Sequence, residues 1–184
     1  MKIFSQNYIN FQKKLVANCK VGTGENSTQA KIYQLDYPED LDYYKNNAEK
    51  NQNWQGSYYL TDASKILEYN GNKYSHYVME DLDNDLLCLS VIDKRSLTYD
   101  ELDYLETAPK LSSYNRDGRK LKYIGETMLA FLVKMARGKK TSFEVPNVAK
   151  REQTQKFYYD LCKFHSGDFD EAYLESQEFD DFIK

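Results

Sequence analysis

Two hydrophobic runs near the middle of the chain alternate in the way that β-strands do. KYSHYVMEDL (73–82) and DLLCLSVID (85–93) contain many strand-forming residues and flank Asp83-Asn84, a pair typical of tight turns. They predict an antiparallel hairpin. LTYDELDYLETAP (97–109) predicts a third strand of the same meander, although residues 96–103 are also compatible with a turn or a short helix.

A helical period replaces the strand pattern after residue 122. Apolar residues recur three or four positions apart from Ile124 to Met135, and Gly138 follows a basic last turn, which predicts a helix that ends there. TSFEVP (141–146) predicts a short strand. REQTQKFYYDLCKF (151–164) predicts an amphipathic helix, and its apolar face is expected to carry Phe157, Leu161 and Phe164.

The two ends of the chain carry weaker patterns. FDEAYL (169–174) predicts a strand, and the following residues predict a short helix capped by Ser176. Near the N-terminus, residues 1–20 predict a short helix, residues 21–29 predict a loop and KIYQLD (31–36) predicts a strand.

Two helices are predicted between this strand and the hairpin. Pro38 stands where a helix opens, and residues 39–50 run from acidic to basic, as suits the helix dipole. Residues 63–70 predict the second helix, with Thr61 or Asp62 as its N-terminal cap.

The resulting order, β-α-α-β-β-β-α-β-α-β with a last short helix, predicts an α/β (α+β) fold. We expect a mixed, mainly antiparallel central sheet with helices on both faces. Residues 1–30 are expected to form an N-terminal extension, a short helix plus a loop, and residues 31–184 a single domain.

Composition and charge limit the classes of function that we expect for this chain. The 184 residues are 41% hydrophobic and 29% charged, which is typical of a globular protein. The net charge is −4, and the one basic cluster lies in residues 116–122, so a nucleic-acid-binding surface is not expected. Three distant cysteines and two distant histidines give no metal site. No apolar run reaches the ~18 residues of a membrane span, and no signal peptide is recognised, so we expect a cytoplasmic protein.

Residues 105–130, LETAPKLSSYNRDGRKLKYIGETMLA, combine a strand end, a basic loop and Gly125 at a helix start. This order suits a ligand that carries phosphate. Because phosphate-binding loops usually contain two or three glycines, these residues taken alone favour a simple turn between strand and helix.

Three segments together resemble the GNAT N-acetyltransferase superfamily. YLETAP (104–109) is similar to the end of the family's fourth strand. KLKYIGETMLAFLVKMA (120–136) resembles the Arg/Gln-x-x-Gly-x-Gly/Ala motif and the helix after it, with Lys120 at the basic position, Tyr123 in place of the first glycine and Gly125 matching the last. FYYDLCKF (157–164) resembles the family's FYeklGF helix.

The resemblance implies an acyltransferase that uses acetyl-CoA as co-substrate and an amine as acceptor, by direct attack of the amine. Backbone N–H groups at the helix start would bind the pyrophosphate, and Gly125 would let the backbone approach it. A backbone N–H of the fourth strand would polarise the thioester carbonyl. The residues expected at the coenzyme are Leu105, Thr107, Ala108, Arg119, Lys120, Lys122, Tyr123, Ile124, Gly125, Glu126 and Thr127.

Two tyrosines compete for the general acid that protonates the leaving thiolate. Tyr159 fits the family's spacing back from Phe164, and Tyr158 fits the spacing from Phe157. For the general base, Glu106 lies on the fourth strand, where partial desolvation would raise its pKa. The sequence does not rank two further carboxylates against it, Glu80 and Asp93.

The departures from the family motif leave a second hypothesis. A GNAT-like fold without turnover would serve as a binding or interaction module with a degenerate coenzyme site. In either case the expected partners are a CoA ester and an amine, with neither nucleic acid nor membrane, and homodimerisation is left open.

Overall fold

Eight strands form a single sheet, and one long helix packs against it. The computed structural model describes residues 13–23, 25–35, 40, 44, 73–108, 123–148, 152–168 and 170–183. In chain order the strands are β1 (Lys14–Thr23), β2 (Asn26–Leu35), β3 (Tyr74–Asp81), β4 (Leu86–Asp93), β5 (Tyr99–Thr107), β6 (Ser142–Val145), β7 (His165–Ser166) and β8 (Ala172–Glu175). The helices in this part of the chain are α1 (Ile124–Ala136), α2 (Glu152–Gln155), which continues as a π-helical turn over Lys156–Leu161, and α3 (Phe179–Phe182), which a 3-10 turn over Ser176–Glu178 precedes.

The strands lie in the order β1-β2-β3-β4-β5-β6-β8-β7. Every neighbouring pair is antiparallel except β5 and β6, which are parallel because α1 crosses over between them. The predicted mixed, mainly antiparallel sheet is therefore confirmed, and so are its central meander and the helix that follows it.

The hairpin between β3 and β4 turns at the predicted residues. Asn84 has a positive φ of 62°, a backbone conformation that asparagine tolerates better than most residues. The Asp81 carboxylate accepts the backbone N–H groups of Asp83 at 3.0 Å and Asp85 at 2.9 Å. These bonds explain why the chain reverses here.

The N-terminal prediction is wrong in the described residues. Instead of a helix and a loop, β1 and β2 form an antiparallel hairpin, and β2 pairs with β3. Pairing along β2 satisfies the backbone groups of residues 14–23, which have only a weak helical pattern of their own. The strand predicted over residues 31–36 is confirmed as part of β2, and the boundary placed after residue 30 falls inside it.

Alternation along the strands divides the sheet into two faces. One face packs against α1, where the rings of Tyr77 and Phe131 meet edge to face at 5.4 Å and Met128, Leu129 and Leu132 are buried. The opposite face carries buried Val78 and Leu89, and Glu80 there accepts a hydrogen bond from Tyr44, a residue in helical conformation. Helical residues thus lie on both faces, as predicted.

The helix predicted over residues 151–164 is interrupted by the π-helical turn. The Cys162 N–H bonds to the Phe157 carbonyl at 2.9 Å, five residues back instead of four. This wider turn rotates the side chains that follow. Tyr158 is therefore buried, whereas Leu161, predicted to face the core, is 53% exposed.

The C-terminal elements are confirmed with shifted ends. The predicted strand lies at Ala172–Glu175, and the predicted cap at Ser176 is wrong. Glu175 caps the 3-10 turn Ser176–Glu178 that precedes α3, because its side chain accepts the Glu178 backbone N–H and the Glu178 side chain accepts the Glu175 backbone N–H. The helices predicted over residues 39–50 and 63–70 lie outside the described residues, apart from Asp40 and Tyr44. No helix in the described part of the chain is long and apolar enough to cross a membrane.

Candidate functional site

Strands β5 and β6 separate shortly after they begin. They pair only through Tyr99, Asp100 and Glu101 of β5, whereas β5 continues beside β4 as far as Thr107. The register with β4 shifts between Leu102 and Tyr104, which places a β-bulge at Asp103. One edge of β5 beyond Glu101 is therefore not paired with β6 and faces a fork between the two strands.

Backbone donors line this edge in alternation. The Ala108 N–H bonds to the Leu87 carbonyl of β4 at 2.9 Å, so Ala108 is excluded as a donor to a ligand. Because antiparallel N–H groups alternate sides, those of Tyr104 and Glu106 also point to β4. The N–H groups of Leu105 and Thr107 then point into the fork. Two of the predicted strand residues are thus suitably placed.

Helix α1 begins beside the end of β5. The first intrahelical bond runs from the Thr127 N–H to the Tyr123 carbonyl at 3.0 Å, so the Thr127 N–H is not free for a ligand. The preceding N–H groups, of Ile124, Gly125 and Glu126, lack intrahelical acceptors. The Tyr123 side chain does not cap them. Three of the predicted donors therefore remain at the helix start, although the Glu126 carboxylate opposes an anion there.

Tyr123 has a backbone conformation that favours glycine. Its φ is 61° and its ψ is 23°, the left-handed conformation that costs a side-chain-bearing residue about 1–2 kcal/mol. The ring is 46% exposed. The backbone at this helix start keeps the glycine-like conformation, with a tyrosine in place.

Gly125 has a packing role that the sequence did not indicate. A Cβ at this position would stand 3.3 Å from Cζ of Phe157 and 3.7 Å from Cγ2 of Thr107. The missing side chain therefore lets the start of α1 pack closely on the π-helical turn and on the end of β5. The predicted role, close approach of the backbone to a phosphate, stays a prediction.

The two candidate tyrosines have different surroundings. Tyr158 is buried between the rings of Phe157 at 4.9 Å and Phe164 at 5.7 Å, and burial raises the pKa of its hydroxyl. The half-buried Tyr159 donates its hydroxyl to the Glu171 carbonyl at 3.1 Å. Lys163, with a φ of 61°, has the left-handed conformation at the glycine of the FYeklGF pattern. That register aligns Tyr159 with the tyrosine of the pattern.

The predicted base candidates are already engaged. Glu106 accepts a hydrogen bond from the Tyr104 hydroxyl, since both lie on the face of β5 opposite α1. Glu80 is 1% exposed and bonds to Tyr44 and, at 2.6 Å, to Lys13. Glu80 is therefore held in an ion pair with the partly buried Lys13.

Asp93 is held by the residue that follows the strand. Its carboxylate accepts bonds from the backbone N–H of Arg95 at 2.9 Å and from Arg95 Nε at 2.6 Å. Burial alone would raise the pKa of Asp93, but the bonds from Arg95 outweigh it and hold this pKa below its usual range. Both further candidates are thus neutralised by a basic partner.

Two carboxylates that the sequence analysis did not single out lie at the fork. Glu101 and Glu144 are register partners, and Glu144 lines an open cleft of about 530 Å³ with Glu171, Tyr173 and Glu175. Burial, then neighbouring Asp93, Asp103 and Glu144, raises the pKa of Glu101.

Burial also raises the pKa of Glu144, and nearby Glu171 adds to the shift. The acids of TYDELDYLE (98–106) and Glu144 in SFEV (142–145) were the available sequence signal. We name the surface that carries Asp93, Glu101, Glu106, Glu144 and Glu175 the acidic face.

The basic residues predicted at the coenzyme, Arg119, Lys120 and Lys122, lie outside the described residues. The described part of the chain contains no group of three side chains able to hold a metal ion.

No protein-family model matches the sequence, and no curated protein matches it. Solved structures do match. A mutant of the spermidine N-acetyltransferase from Vibrio cholerae aligns with a TM-score of 0.57 at 10% identity, over 82% of this chain and 95% of that one. The same enzyme in complex with CoA and spermine gives a TM-score of 0.56 at 12% identity, over 82% and 97%.

A protein from Exiguobacterium sp. 255-15 that is assigned as an acetyltransferase aligns with a TM-score of 0.56 at 15% identity, over 84% of this chain and 99% of that one. At this identity the likeness concerns architecture. The chain therefore has the fold of the GNAT N-acetyltransferases.

Proposed function

We propose that the protein is an N-acyltransferase that moves an acetyl group from acetyl-CoA to an amine by direct attack. The observation that carries this proposal is the fork. Among the described residues, an edge of β5 that β6 does not pair lies beside the N-terminus of α1, which the Tyr123 side chain does not cap, and the structures with this fold include N-acetyltransferases. Either feature alone is common in proteins, and their juxtaposition in this fold supports acyl transfer.

The backbone around the fork suits a CoA ester. Inward N–H groups of Leu105 and Thr107 would hold the acetyl carbonyl and its amide-bearing arm. The N–H groups of Ile124, Gly125 and Glu126, at the positive end of the helix dipole, would hold the pyrophosphate. Basic residues of the 116–122 segment would add charge. The coenzyme supplies the acetyl thioester, and the protein supplies position and proton transfer.

The acidic face and the open cleft that Glu144 lines support an acceptor that carries positive charge. Four glutamates, Glu101, Glu144, Glu171 and Glu175, lie at or beside the open cleft. Carboxylates grouped on one surface raise the local concentration of cations, which an amine is at neutral pH. The spermine complex of the Vibrio cholerae enzyme shows that a protein of this fold accommodates a polyamine.

The second candidate function is that of a protein with the same fold that binds its ligand but does not catalyse acetyl transfer. Tyr159 already donates its hydroxyl to a backbone carbonyl, and Glu126 places negative charge at the helix start. A module that binds a CoA ester or a protein partner without chemistry is consistent with both contacts. Binding without transfer would distinguish it from the enzyme.

Titration calorimetry with acetyl-CoA and with desulfo-CoA tests the binding step. We expect saturable heat with both ligands. Thr107→Pro, which removes one N–H facing the fork, should weaken both, whereas Thr107→Val keeps that N–H and should bind as the wild type does. Absence of heat with either ligand at high micromolar concentration would contradict the proposal.

A further inference from the structure

A small cage on the sheet face opposite α1 surrounds the side-chain ammonium group of Lys13. Lys13 Nζ donates to a carboxylate oxygen of Glu80 at 2.6 Å and to the Tyr44 hydroxyl at 3.3 Å. It also lies 4.3 Å from the centre of the Tyr33 ring and 5.7 Å from the centre of the Tyr44 ring. A carboxylate, a hydroxyl and two aromatic rings thus surround one cation. We name Tyr33, Tyr44 and Glu80 the ammonium cage.

The ammonium cage suits a primary ammonium ion. Such an ion carries three N–H donors, and two of those on Lys13 reach oxygen atoms while its charge lies over the Tyr33 ring. The face of an aromatic ring attracts a cation most strongly where water is excluded, and here Glu80 is 1% and Tyr44 3% exposed. A quaternary ammonium ion has no N–H donors, so it would leave the buried carboxylate without a hydrogen bond from its cation.

The three cage residues are held in place independently of Lys13. The Tyr44 hydroxyl donates to Oε1 of Glu80, whereas Lys13 uses Oε2. Tyr33 and Glu80 lie on the neighbouring strands β2 and β3, which pair along Ala30–Leu35. Removal of the Lys13 side chain would therefore leave a carboxylate, a hydroxyl and an aromatic ring around the vacated position. Because a buried carboxylate that has lost its cation is strongly destabilising, this position favours another cation.

Lys13 reaches the ammonium cage from the solvent side. Its side chain is 23% exposed, against 2% for the side chain of Glu80. The ladder between β1 and β2 begins with Lys14 and Gln34, so the pairing of these strands does not require Lys13. The cation is therefore the component of the ion pair that can be replaced without breaking the sheet.

We propose that the ammonium cage is a binding site for a primary alkylammonium group, and that Lys13 fills it when no such ligand is bound. The site lies apart from the fork, and the proposal does not rest on acetyl transfer. Lys13 and the ligand compete for the same oxygen atoms, so binding releases the Lys13 side chain to solvent. Because Lys13 belongs to the chain, its effective concentration at the cage is on the order of mM, and a free monoamine must reach this range to displace it.

The sheet register places the ammonium cage on the same face as the Glu106 side chain. Glu106 pairs with Leu89, Leu89 pairs with Val78, and Glu80 follows Val78 by two residues on the same face of β3. Two strand spacings and two residues along a strand separate the cage from the end of β5 by roughly 12 Å. Two sources therefore supply the same chemistry: a free amine, or the far amino group of a long diamine whose near amino group lies at the fork.

Chemical rescue of Lys13→Ala tests the binding site without acetyl transfer. The substitution removes three methylene groups and the ammonium group, which n-propylammonium supplies. We expect the thermal unfolding midpoint of Lys13→Ala to fall by several degrees and to recover saturably as n-propylammonium chloride is added. Sodium chloride and tetramethylammonium chloride at equal ionic strength should not restore it. If Lys13→Ala is unfolded without amine, recovery of its far-ultraviolet circular dichroism is the readout.

Three variants serve as controls. Lys14→Ala alters the neighbouring exposed lysine and should neither lose stability nor respond to the amine. Lys13→Met removes the charge but fills the space with its own side chain, so n-propylammonium should not rescue it. Lys13→Ala combined with Glu80→Gln lacks the carboxylate and should show no saturable response. Recovery of Lys13→Ala no greater than that in sodium chloride, or recovery that persists without the Glu80 carboxylate, overturns the proposal.

Acetyl transfer then distinguishes the two sources of the ammonium group. If the far amino group of the acceptor enters the ammonium cage, Lys13→Ala should lower the KM of octamethylenediamine roughly tenfold and leave that of octylamine unchanged. If a free amine enters instead, Lys13→Ala should leave both KM values unchanged. The rescue needs no turnover, so rescue without any acetyl transfer contradicts the proposed function alone, and acetyl transfer without rescue contradicts the ammonium site alone.

Discussion

Glu101 of β5 and Glu144 of β6 are the last residue pair that joins these strands before they separate. Two carboxylates are thus fixed beside each other on a half-buried surface, where burial raises the pKa of both. Such an arrangement costs stability when both groups are charged.

The first prediction concerns stability and pH. A glutamate whose pKa is raised in the folded state binds its proton more tightly there than in the unfolded chain. Below the ordinary glutamate pKa, Glu101 therefore does not lower the free energy of unfolding. As pH rises through the folded pKa, its charge lowers that free energy. Glu101→Gln should raise the free energy of unfolding at neutral pH by up to about 1 kcal/mol, limited by solvent screening.

The same variant should bring no gain at a pH below the ordinary glutamate pKa. Urea unfolding at the two pH values measures the difference. A loss of stability at neutral pH would show that the carboxylate is favourably compensated, contrary to its surroundings in the structure.

The second prediction concerns the helix start. Because Tyr123 has a φ of 61°, glycine should be favoured there over any residue with a Cβ. Tyr123→Gly should be about 1 kcal/mol more stable than Tyr123→Ala, which also lacks the ring but retains the conformational cost. Denaturant unfolding of the pair measures this difference, and equal stabilities would mean that the left-handed conformation is not strained here.

The third prediction follows from a buried histidine. Burial lowers the pKa of His76 to about 4, whereas an unfolded histidine titrates near 6.5. Between these two pKa values, His76 is therefore protonated in the unfolded chain and neutral in the folded protein. Stability from this residue is complete above the unfolded pKa and is lost as pH falls through the folded one. The loss should be about 3 kcal/mol between pH 7 and pH 4.

His76→Gln should flatten the dependence of unfolding free energy on pH in this range. The matched control is His165→Gln, which alters an exposed histidine paired with Glu178 and should keep most of the slope. An unchanged slope in His76→Gln would show that His76 is accessible to protons in the folded state.

The fourth prediction separates the two candidate tyrosines. Tyr159→Phe should lower kcat for acetyl transfer roughly 100-fold if its hydroxyl protonates the thiolate, with little change in KM. It should also cost about 1 kcal/mol of stability, because the hydroxyl loses its bond to the Glu171 carbonyl. Tyr158→Phe should retain kcat, since Tyr158 is only 6% exposed. A rate loss confined to Tyr158→Phe would reverse the assignment.

The sequence predicted the parts of the fold that local patterns encode. Alternation over β3, β4 and β5 and the apolar period of α1 each span several repeats, and the structure confirms them. The β1–β2 hairpin was missed because it depends on pairing with β3, a contact distant in the chain. The π-helical turn was missed because one extra residue per turn leaves the composition unchanged and shifts only the side chains after it.

The same distinction applies to the candidate site. The order of strand end, basic loop and helix start pointed to β5 and α1, and the structure places them together. Sequence could not show that the Ala108 and Thr127 N–H groups are already bonded, since that depends on backbone geometry. Glu101 and Glu144 escaped notice because only the parallel pairing of β5 with β6 brings them together.

Acetyl transfer itself tests the central claim most directly. The purified protein is incubated with acetyl-CoA and spermidine, and the amine product is followed by mass spectrometry together with release of free thiol. We expect an N-acetylated amine and an equal amount of thiol, both reduced in Tyr159→Phe. Saturable binding of acetyl-CoA with no acetylated product from spermidine or from a panel of other amines would contradict it and would favour the non-catalytic module.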